Sequence, residues 1–161
     1  MSLVGFKARN HPQQKAKASV DDRGTTWEVF NPLHERFDFT IDVAASPENA
    51  KLPRYFTTAD DGLAQSWADE RVWCNPPYSN IGPWVEKAHS SDADLVVMLL
   101  PANRTEQRWW QGWVEPNRDC GGVLRVEFLP GRMRFIVPPA DSVKPNDRPP
   151  FGCCLLIWDF A

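Results

Sequence analysis

The sequence predicts a three-layer α/β fold with a largely parallel sheet and an antiparallel hairpin at its end. Three observations support it: apolar runs of strand length recur along the chain, helical patterns separate them, and residues 95–100 are continuously apolar. A strand has this last pattern when both of its faces are covered, as in a sheet between two layers of helices. At 161 residues the chain is long enough for one such domain, which we assign to residues 24–161.

Composition and charge narrow the class of protein. The formal net charge of −3 argues against a protein that coats nucleic acid nonspecifically, but it is compatible with a local basic patch. The four cysteines have no Cys-x-x-Cys spacing and the three histidines do not pair with them as zinc ligands, so we expect no metal site and a reduced intracellular protein. No apolar run approaches about 18 residues and no signal peptide is recognisable, so we expect no membrane span.

Residues 1–23 are predicted to form a basic, mobile arm outside the domain. The stretch has no apolar periodicity, and its charged side chains are five Lys or Arg against two Asp. Such segregation is typical of an arm that contacts phosphate groups, but a solvated terminus without a role has the same composition.

The first helix and strand follow this arm. Thr26 has the position of a helix N-cap, since apolar side chains recur at helical spacing directly after it. Residues 37–43 then alternate apolar and polar side chains, which predicts a strand with Asp42 near its end. Small residues and a proline turn the chain after Val43.

Two strands and two helices are predicted next. Residues 72–74 (Val-Trp-Cys) have the pattern of a short buried strand, and residues 81–89 that of a helix with a proline in its first turn. The apolar run at residues 95–100 is the second of these strands. A helix follows it, and core positions are favoured for its three tryptophans, Trp109, Trp110 and Trp113.

A hairpin and a final strand complete the predicted fold. Residues 123–129 and 132–137 both have strand patterns, and the Pro-Gly pair between them predicts that they form a hairpin. Residues 138–150 are rich in proline, which predicts a surface loop near the carboxyl edge of the sheet, where we expect the functional site. Residues 152–160 are apolar enough for a strand inside the sheet, with two cysteines as small core residues.

A rigid loop of sequence Asn-Pro-Pro-Tyr follows the strand at residues 72–74 and is the strongest functional signal in the chain. Two consecutive prolines fix two φ angles at about −65° and donate no backbone hydrogen bond, so the strand has to stop there. Ligands usually bind at the carboxyl ends of strands in an open α/β sheet. The loop residues are Asn75, Pro76, Pro77 and Tyr78.

An amide and an aromatic ring on a stiff loop suit chemistry at the exocyclic amine of a heteroaromatic ring. Such an amine is a poor nucleophile because its lone pair is delocalised into the ring. The side-chain oxygen of Asn75 and the carbonyl of Pro76 would accept its hydrogens and draw the nitrogen towards tetrahedral geometry, while Tyr78 could stack on the ring. The structural alternative is a Pro-Pro turn followed by a core tyrosine.

These residues resemble the catalytic motif of S-adenosylmethionine-dependent amino-methyltransferases, (Asp, Asn or Ser)-Pro-Pro-(Tyr or Phe). Similarity to the phage-type DNA N6-adenine methyltransferase family extends to residues 73–79, 83–88, 39–46, 99–102 and 131–135. The resemblance covers most of the chain, with the motifs in the family order. It implies a Rossmann-like methyltransferase fold with a mixed, mostly parallel sheet. It also implies methyl transfer from S-adenosylmethionine to the N6 amine of adenine in DNA, by direct displacement on a flipped base.

The resemblance implies roles for individual residues. Asn75, Pro76, Pro77 and Tyr78 would be catalytic, and Asn75 would also contact the cofactor. Other cofactor-binding residues would be Thr26, Asp42 and Ala44, the last in an Ala-Ala-Ser turn where many such sites have glycines.

An acidic loop and four arginines complete the predicted site. One of Asp60 and Asp61 would accept a hydrogen bond from the cofactor's adenine amine or ribose, and the sequence does not choose between them. Candidates for contact with DNA are Arg104, Arg108, Arg132 and Arg134. The last two share one strand face because they are two residues apart.

Two other functions stay open. The Asn-Pro-Pro-Tyr motif also serves methylation of protein glutamine amides, although those enzymes resemble longer chains with a glycine-rich cofactor loop. A noncatalytic DNA-binding protein that kept the fold is the second alternative. We expect a phage- or prophage-encoded protein that acts in the cytoplasm of a bacterial host, with short or relaxed sequence specificity.

Overall fold

The computed structural model describes residues 24–133, 135–136 and 151–161, and this part of the chain contains both strands and helices. None of the helices in this part has the length and apolarity needed to cross a membrane. In chain order the elements are β1 (Gly24–Thr25), α1 (Trp27–Phe37), β2 (Ile41–Asp42), β3 (Arg71–Cys74), α2 (Gly82–His89), β4 (Leu95–Pro101), a π-helical segment (Trp110–Val114), β5 (Leu124–Phe128), β6 (Phe135–Ile136) and β7 (Cys153–Asp159).

Five of these strands form one mixed sheet in the order β2-β3-β4-β7-β5. Strands β2, β3 and β4 are parallel, and β7 is antiparallel to both of its neighbours, so β5 runs in the same direction as β4. Every residue of β4 and all but the last of β7 are buried, which means that both faces of the sheet centre are covered. The predicted α/β fold with a mixed, mostly parallel sheet is confirmed.

The predicted hairpin is wrong. Strand β5 pairs with β7, and β6 pairs with β1 in a separate two-stranded ribbon whose register joins Thr25 to Phe135. The hydrogen bonds explain why the hairpin does not close. The Leu129 N–H donates to the Cys153 carbonyl over 2.9 Å, so the chain leaving β5 keeps bonding towards β7 and leaves β6 to pair with β1.

The strand predicted at residues 37–43 is shorter than expected because α1 extends into it. The helix ends at Phe37, and its C-cap residue Asp38 has a left-handed φ of 52° and donates its N–H to the carbonyl of His34 over 2.8 Å. Only β2 has strand geometry here. The alternation still places its apolar members inside, since Phe39, Ile41 and Val43 are all buried.

The remaining predicted elements agree with the structure where it describes them. Helix α2 begins with a proline in its first turn, and Trp109 and Trp110 are buried core residues. Predictions about residues 1–23, Arg134 and residues 138–150 fall outside the described residues.

Candidate active site

A cavity of about 380 Å³ opens at the carboxyl edge of the sheet, where β2 and β3 end. Three loops form it: the turn after β2, the acidic loop before β3, and the Asn-Pro-Pro-Tyr loop after β3. Its volume falls in the usual range for small-molecule sites. It is lined by Val43, Ala44, Ala45, Ser46, Asn49, Thr57, Thr58, Asp61, Gly62, Asn75, Pro77, Ser79 and Trp84.

The turn after β2 is organised by the carboxylate of Asp42. This side chain is 3% exposed and accepts the backbone N–H groups of Lys51 over 3.1 Å and of Ala44 over 3.4 Å. Burial raises the pKa of Asp42 to about 6 despite these bonds. Ala44 lines the main cavity, whereas Asp42 lines a smaller polar space beside it that it shares with Asn75.

The acidic loop separates the two adjacent aspartates. Asp60 accepts the Thr57 backbone N–H over 2.8 Å and the Thr57 hydroxyl over 2.9 Å, so its carboxylate holds the loop together. These bonds lower the pKa of Asp60. Asp61 lines the cavity, and its φ of 54° is one that Asp tolerates better than most residues do.

Gly62 is a site residue that the sequence analysis missed. A Cβ atom at this position would lie 2.2 Å from the carbonyl oxygen of Val43, so only glycine lets the acidic loop approach the turn after β2 this closely. Many such cofactor sites have glycines directly after the first strand of the sheet, where this chain has Ala-Ala-Ser. The sequence signal that could have indicated Gly62 is the Asp-Asp-Gly triplet of the acidic loop.

Asn75 lies where the main cavity and the smaller polar space meet. Its Nδ2 donates a hydrogen bond of 3.1 Å to the hydroxyl of Thr25, which is 2% exposed. Thr26, predicted to bind the cofactor, instead occupies the N-cap position of α1 and is not among the residues that line the cavity. Thr25, one position earlier, is the threonine that contacts the loop.

Tyr78, the last residue of the loop, is buried in the protein interior. Its ring is 2% exposed and meets Phe135 and Phe151 edge to face, with centroids 6.1 and 6.2 Å away. Its hydroxyl donates to the carbonyl of Leu99 over 3.2 Å, and burial raises its pKa well above the ordinary value. The predicted stacking on a target base stays a prediction, and it requires a face of this ring to become accessible.

The predicted DNA-contacting arginines differ in their surroundings. The Arg104 guanidinium donates to the backbone carbonyl of Tyr78 and so supports the loop. Arg108 is exposed and borders an open groove beside the loop, together with Trp109 and Trp113, and Arg132 is also exposed. Contact with DNA stays a prediction for each of them.

Thiol and metal chemistry have no candidate near this loop in the part of the chain that the structure describes. Cys74 is fully buried, and burial raises the pKa of its thiol well above the ordinary value. No group of His, Cys, Asp and Glu side chains among the described residues is arranged to hold a metal ion.

Comparison with known proteins identifies the family. A family model described as DNA N-6-adenine-methyltransferase (Dam) matches residues 13–160. The chain belongs to this DNA N-6-adenine-methyltransferase family. Membership confirms the resemblance carried by the Asn-Pro-Pro-Tyr loop and its flanking motifs, and it gives the chain its enzyme class, a DNA adenine-N6 methyltransferase.

Two phage proteins are similar to this family member along most of its length. A DNA N-6-adenine-methyltransferase of Haemophilus phage HP1 is 35% identical over 120 residues, covering 70% of this chain and 69% of the phage protein. A protein of the same description from Escherichia phage T1 is 33% identical over 129 residues, covering 76% of this chain. The matched region is 50% of the T1 protein's length.

Proposed function

We propose that this chain transfers a methyl group from S-adenosylmethionine to the N6 amine of adenine in DNA. The observation that carries the proposal is the position of Asn75. Its amide lies at the edge of a cavity of ligand size, on a loop fixed by two prolines, at the carboxyl edge of a mostly parallel sheet. Family membership supports the same reaction.

The residues that line the cavity support S-adenosylmethionine as its ligand. The Trp84 ring offers an apolar surface, while Ser46 and Asn49 are polar residues of the turn after β2. Asp61 supplies a carboxylate that could accept hydrogen bonds from ribose hydroxyls or from the adenine amine. When bound, S-adenosylmethionine supplies a methyl group on a positively charged sulfur.

The Asn-Pro-Pro-Tyr loop would activate the amine of the target base. The Oδ1 atom of Asn75 and the carbonyl of Pro76 would accept its two N–H groups and draw the nitrogen towards tetrahedral geometry. In a direct displacement the nitrogen lone pair would form a bond to the methyl carbon while the carbon–sulfur bond breaks. The sulfur would leave as a neutral thioether, and the methylated amine would then lose a proton to solvent. No thiol nucleophile is needed, in keeping with Cys74, which is fully buried and whose thiol pKa is raised by burial. Positioning and hydrogen-bond polarisation are what the protein contributes.

Adenine in duplex DNA has to leave the base stack to reach this loop. We infer a flipped base, with Tyr78 as its stacking partner once the ring becomes accessible. Arg108 and Arg132 are exposed and are proposed to contact phosphates. The phage origin of the two relatives supports action inside a bacterial host cell.

Methylation of a protein glutamine and loss of catalysis are the alternatives. One experiment tests the proposal against both alternatives. Labelled S-adenosylmethionine is incubated with unmethylated duplex or single-stranded DNA, and the nucleosides are then analysed. N6-methyladenine supports the proposal. Absence of label in both kinds of DNA overturns it, and calorimetry with the cofactor then separates the remaining two, because a noncatalytic protein would bind it weakly or not at all.

Asn75→Ala tests the catalytic role of the amide. We expect methyl transfer to fall by about 100-fold or more, the usual scale for losing an oriented hydrogen-bonding group, with the thermal midpoint nearly unchanged. Asn31→Ala is the matched control, because Asn31 is exposed on α1 and does not line the cavity. Normal turnover by Asn75→Ala would remove the amide from the mechanism.

A further inference from the structure

We propose that Thr25 is a positioning residue that sets the orientation of the Asn75 amide. The inference rests on the proposed function, since the orientation matters only if the amide oxygen has to face a target amine. Thr25 lies 50 residues away from Asn75 in sequence, and nothing in the Asn-Pro-Pro-Tyr motif points to it.

In a carboxamide, a hydrogen bond donated by the nitrogen also determines the direction in which the oxygen points. Nδ2 and Oδ1 of Asn75 are bonded to the same carbon and point in different directions. Because Nδ2 donates to the Thr25 hydroxyl over 3.1 Å, Oδ1 is turned away from β1. Thr25 lines only the smaller polar space, whereas Asn75 lines both that space and the main cavity. In this proposal the bond to Thr25 turns the oxygen towards the main cavity, which Asn75 also lines.

A wrong orientation would be costly for the reaction. The terminal torsion of an asparagine side chain is broad, so the amide is not fixed by its own rotamer preference. Rotation by about 180° would present an N–H₂ group to the target amine, a donor facing a donor, and the polarisation of the lone pair would be lost. A fixed hydroxyl on one side removes that freedom before the substrate arrives.

The ribbon formed by β1 and β6 is what holds Thr25 in place. Thr25 pairs directly with Phe135 across this ribbon, and Phe135 packs edge to face on Tyr78. These two paired residues thus contact both ends of the Asn-Pro-Pro-Tyr loop: Thr25 contacts its first residue and Phe135 its last. The Thr25 side chain is 2% exposed, which shields its hydrogen bond from competing water.

Thr25→Val and Thr25→Ser test the role of the hydroxyl. Valine keeps the shape and removes the oxygen, and we expect kcat for methyl transfer to fall by about 10- to 100-fold, the scale of a misplaced catalytic group. The dissociation constant of S-adenosylmethionine and the thermal midpoint should stay near those of the wild type. Serine restores the hydroxyl and should recover most of kcat.

Thr40→Val is the matched control. The Thr40 hydroxyl also makes hydrogen bonds, to Glu70 and to the N–H of Arg71, but it lies before β2 at the opposite edge of the sheet. Its loss should lower stability without lowering kcat. The proposal is overturned if Thr25→Val has the kcat of the wild type, if Thr25→Ser is as slow as Thr25→Val, or if kcat falls only in step with the thermal midpoint.

An NMR measurement on the full chain keeps this inference separate from the proposed function. The side-chain N–H₂ signals of Asn75, assigned through Asn75→Asp, should shift and exchange faster with water in Thr25→Val than in the wild type. Unchanged signals would overturn the positioning role even in an active enzyme. A wild type that transfers no methyl to DNA would overturn the proposed function, while the shift would still establish the bond to Thr25.

Discussion

Asp60 and Asp61 are adjacent in sequence, but they have different structural tasks. Asp60 binds the backbone and side chain of Thr57 and so fixes the shape of its loop, whereas Asp61 lines the cavity. Two neighbouring carboxylates give the same signal in a sequence. Only the turn geometry, with Asp61 at a left-handed φ, decides which of them lines the cavity.

Asp61→Asn should weaken binding of S-adenosylmethionine by about tenfold or more, because a hydrogen bond to a charged acceptor contributes roughly 1.5–3 kcal/mol. Asparagine tolerates the left-handed φ, so the loop should keep its shape. Calorimetry with the cofactor measures the change. Asp69→Asn is the control, since Asp69 has a φ of 60° and lies outside the cavity. Equal affinities for the two variants would count against a role for Asp61.

The threonines show the limit of sequence patterns at this scale. The Asn-Pro-Pro-Tyr loop could be found from sequence because two prolines and a strand before them are local features. The helical pattern after Thr26 predicted its N-cap position correctly, while its place in the site was implied by the family resemblance, and Thr26 does not line the cavity. The hydrogen bond from Asn75 to Thr25 depends on how β1 pairs with β6, and a local pattern contains no information about that pairing.

At the scale of elements, the close approach of two cavity loops depends on Gly62. Its Cα hydrogen points at the Val43 carbonyl, where any side chain would collide. The contact holds the acidic loop against the turn after β2, which brings Asp61 and Ala44 to the same cavity. Close packing of backbone against backbone is therefore what gives this part of the site its shape.

Gly62→Ala should lower the free energy of unfolding by about 1–3 kcal/mol, the typical cost of forcing atoms into a packed site, and should also weaken cofactor binding. Gly112→Ala is the matched control, because an added Cβ there meets no atom within 4 Å. Urea unfolding and calorimetry measure the two effects. A Gly62→Ala variant as stable as the control would show that the loops can separate at little cost.

The wrong hairpin has a similar explanation at the same scale. Residues of β5 and β6 have the alternation of strands, and alternation identifies a strand without identifying its partner. The apolar β7 offers β5 five paired residues, from Leu124 opposite Trp158 to Phe128 opposite Cys154. By contrast, the apolar runs of β4 and β7 were correctly predicted as interior strands, since burial on both faces leaves a pattern in the sequence itself.

For the whole molecule, the formal net charge of −3 means that attraction to DNA has to come from particular places on the surface. Arg108 and Arg132 are exposed and follow β4 and β5 along the chain. Both strands end at the carboxyl edge of the sheet, the edge that contains the Asn-Pro-Pro-Tyr loop. A phosphate backbone lying along this edge would contact them.

Arg108→Ala and Arg132→Ala should each lower DNA affinity, and each should reduce the slope of log affinity against log salt concentration by about one. Fluorescence anisotropy over a range of salt concentrations measures this slope. Arg118→Ala removes a cation near the start of β5, at the opposite edge, and should leave the slope unchanged. Equal slopes for all three variants would place the DNA elsewhere.

The position of β7 in the sheet has a consequence for how the chain folds. It follows the other described strands in chain order, yet it lies between β4 and β5, which are not paired with each other. During synthesis the earlier strands are available first, but the sheet stays divided until residues 153–159 arrive. Pairing β7 with β4 closes the long stretch of chain between these two strands, and this has an entropic cost before any of the new contacts form. Insertion of β7 is therefore expected to be the late, slow event that completes both the sheet and the edge on which the site is built.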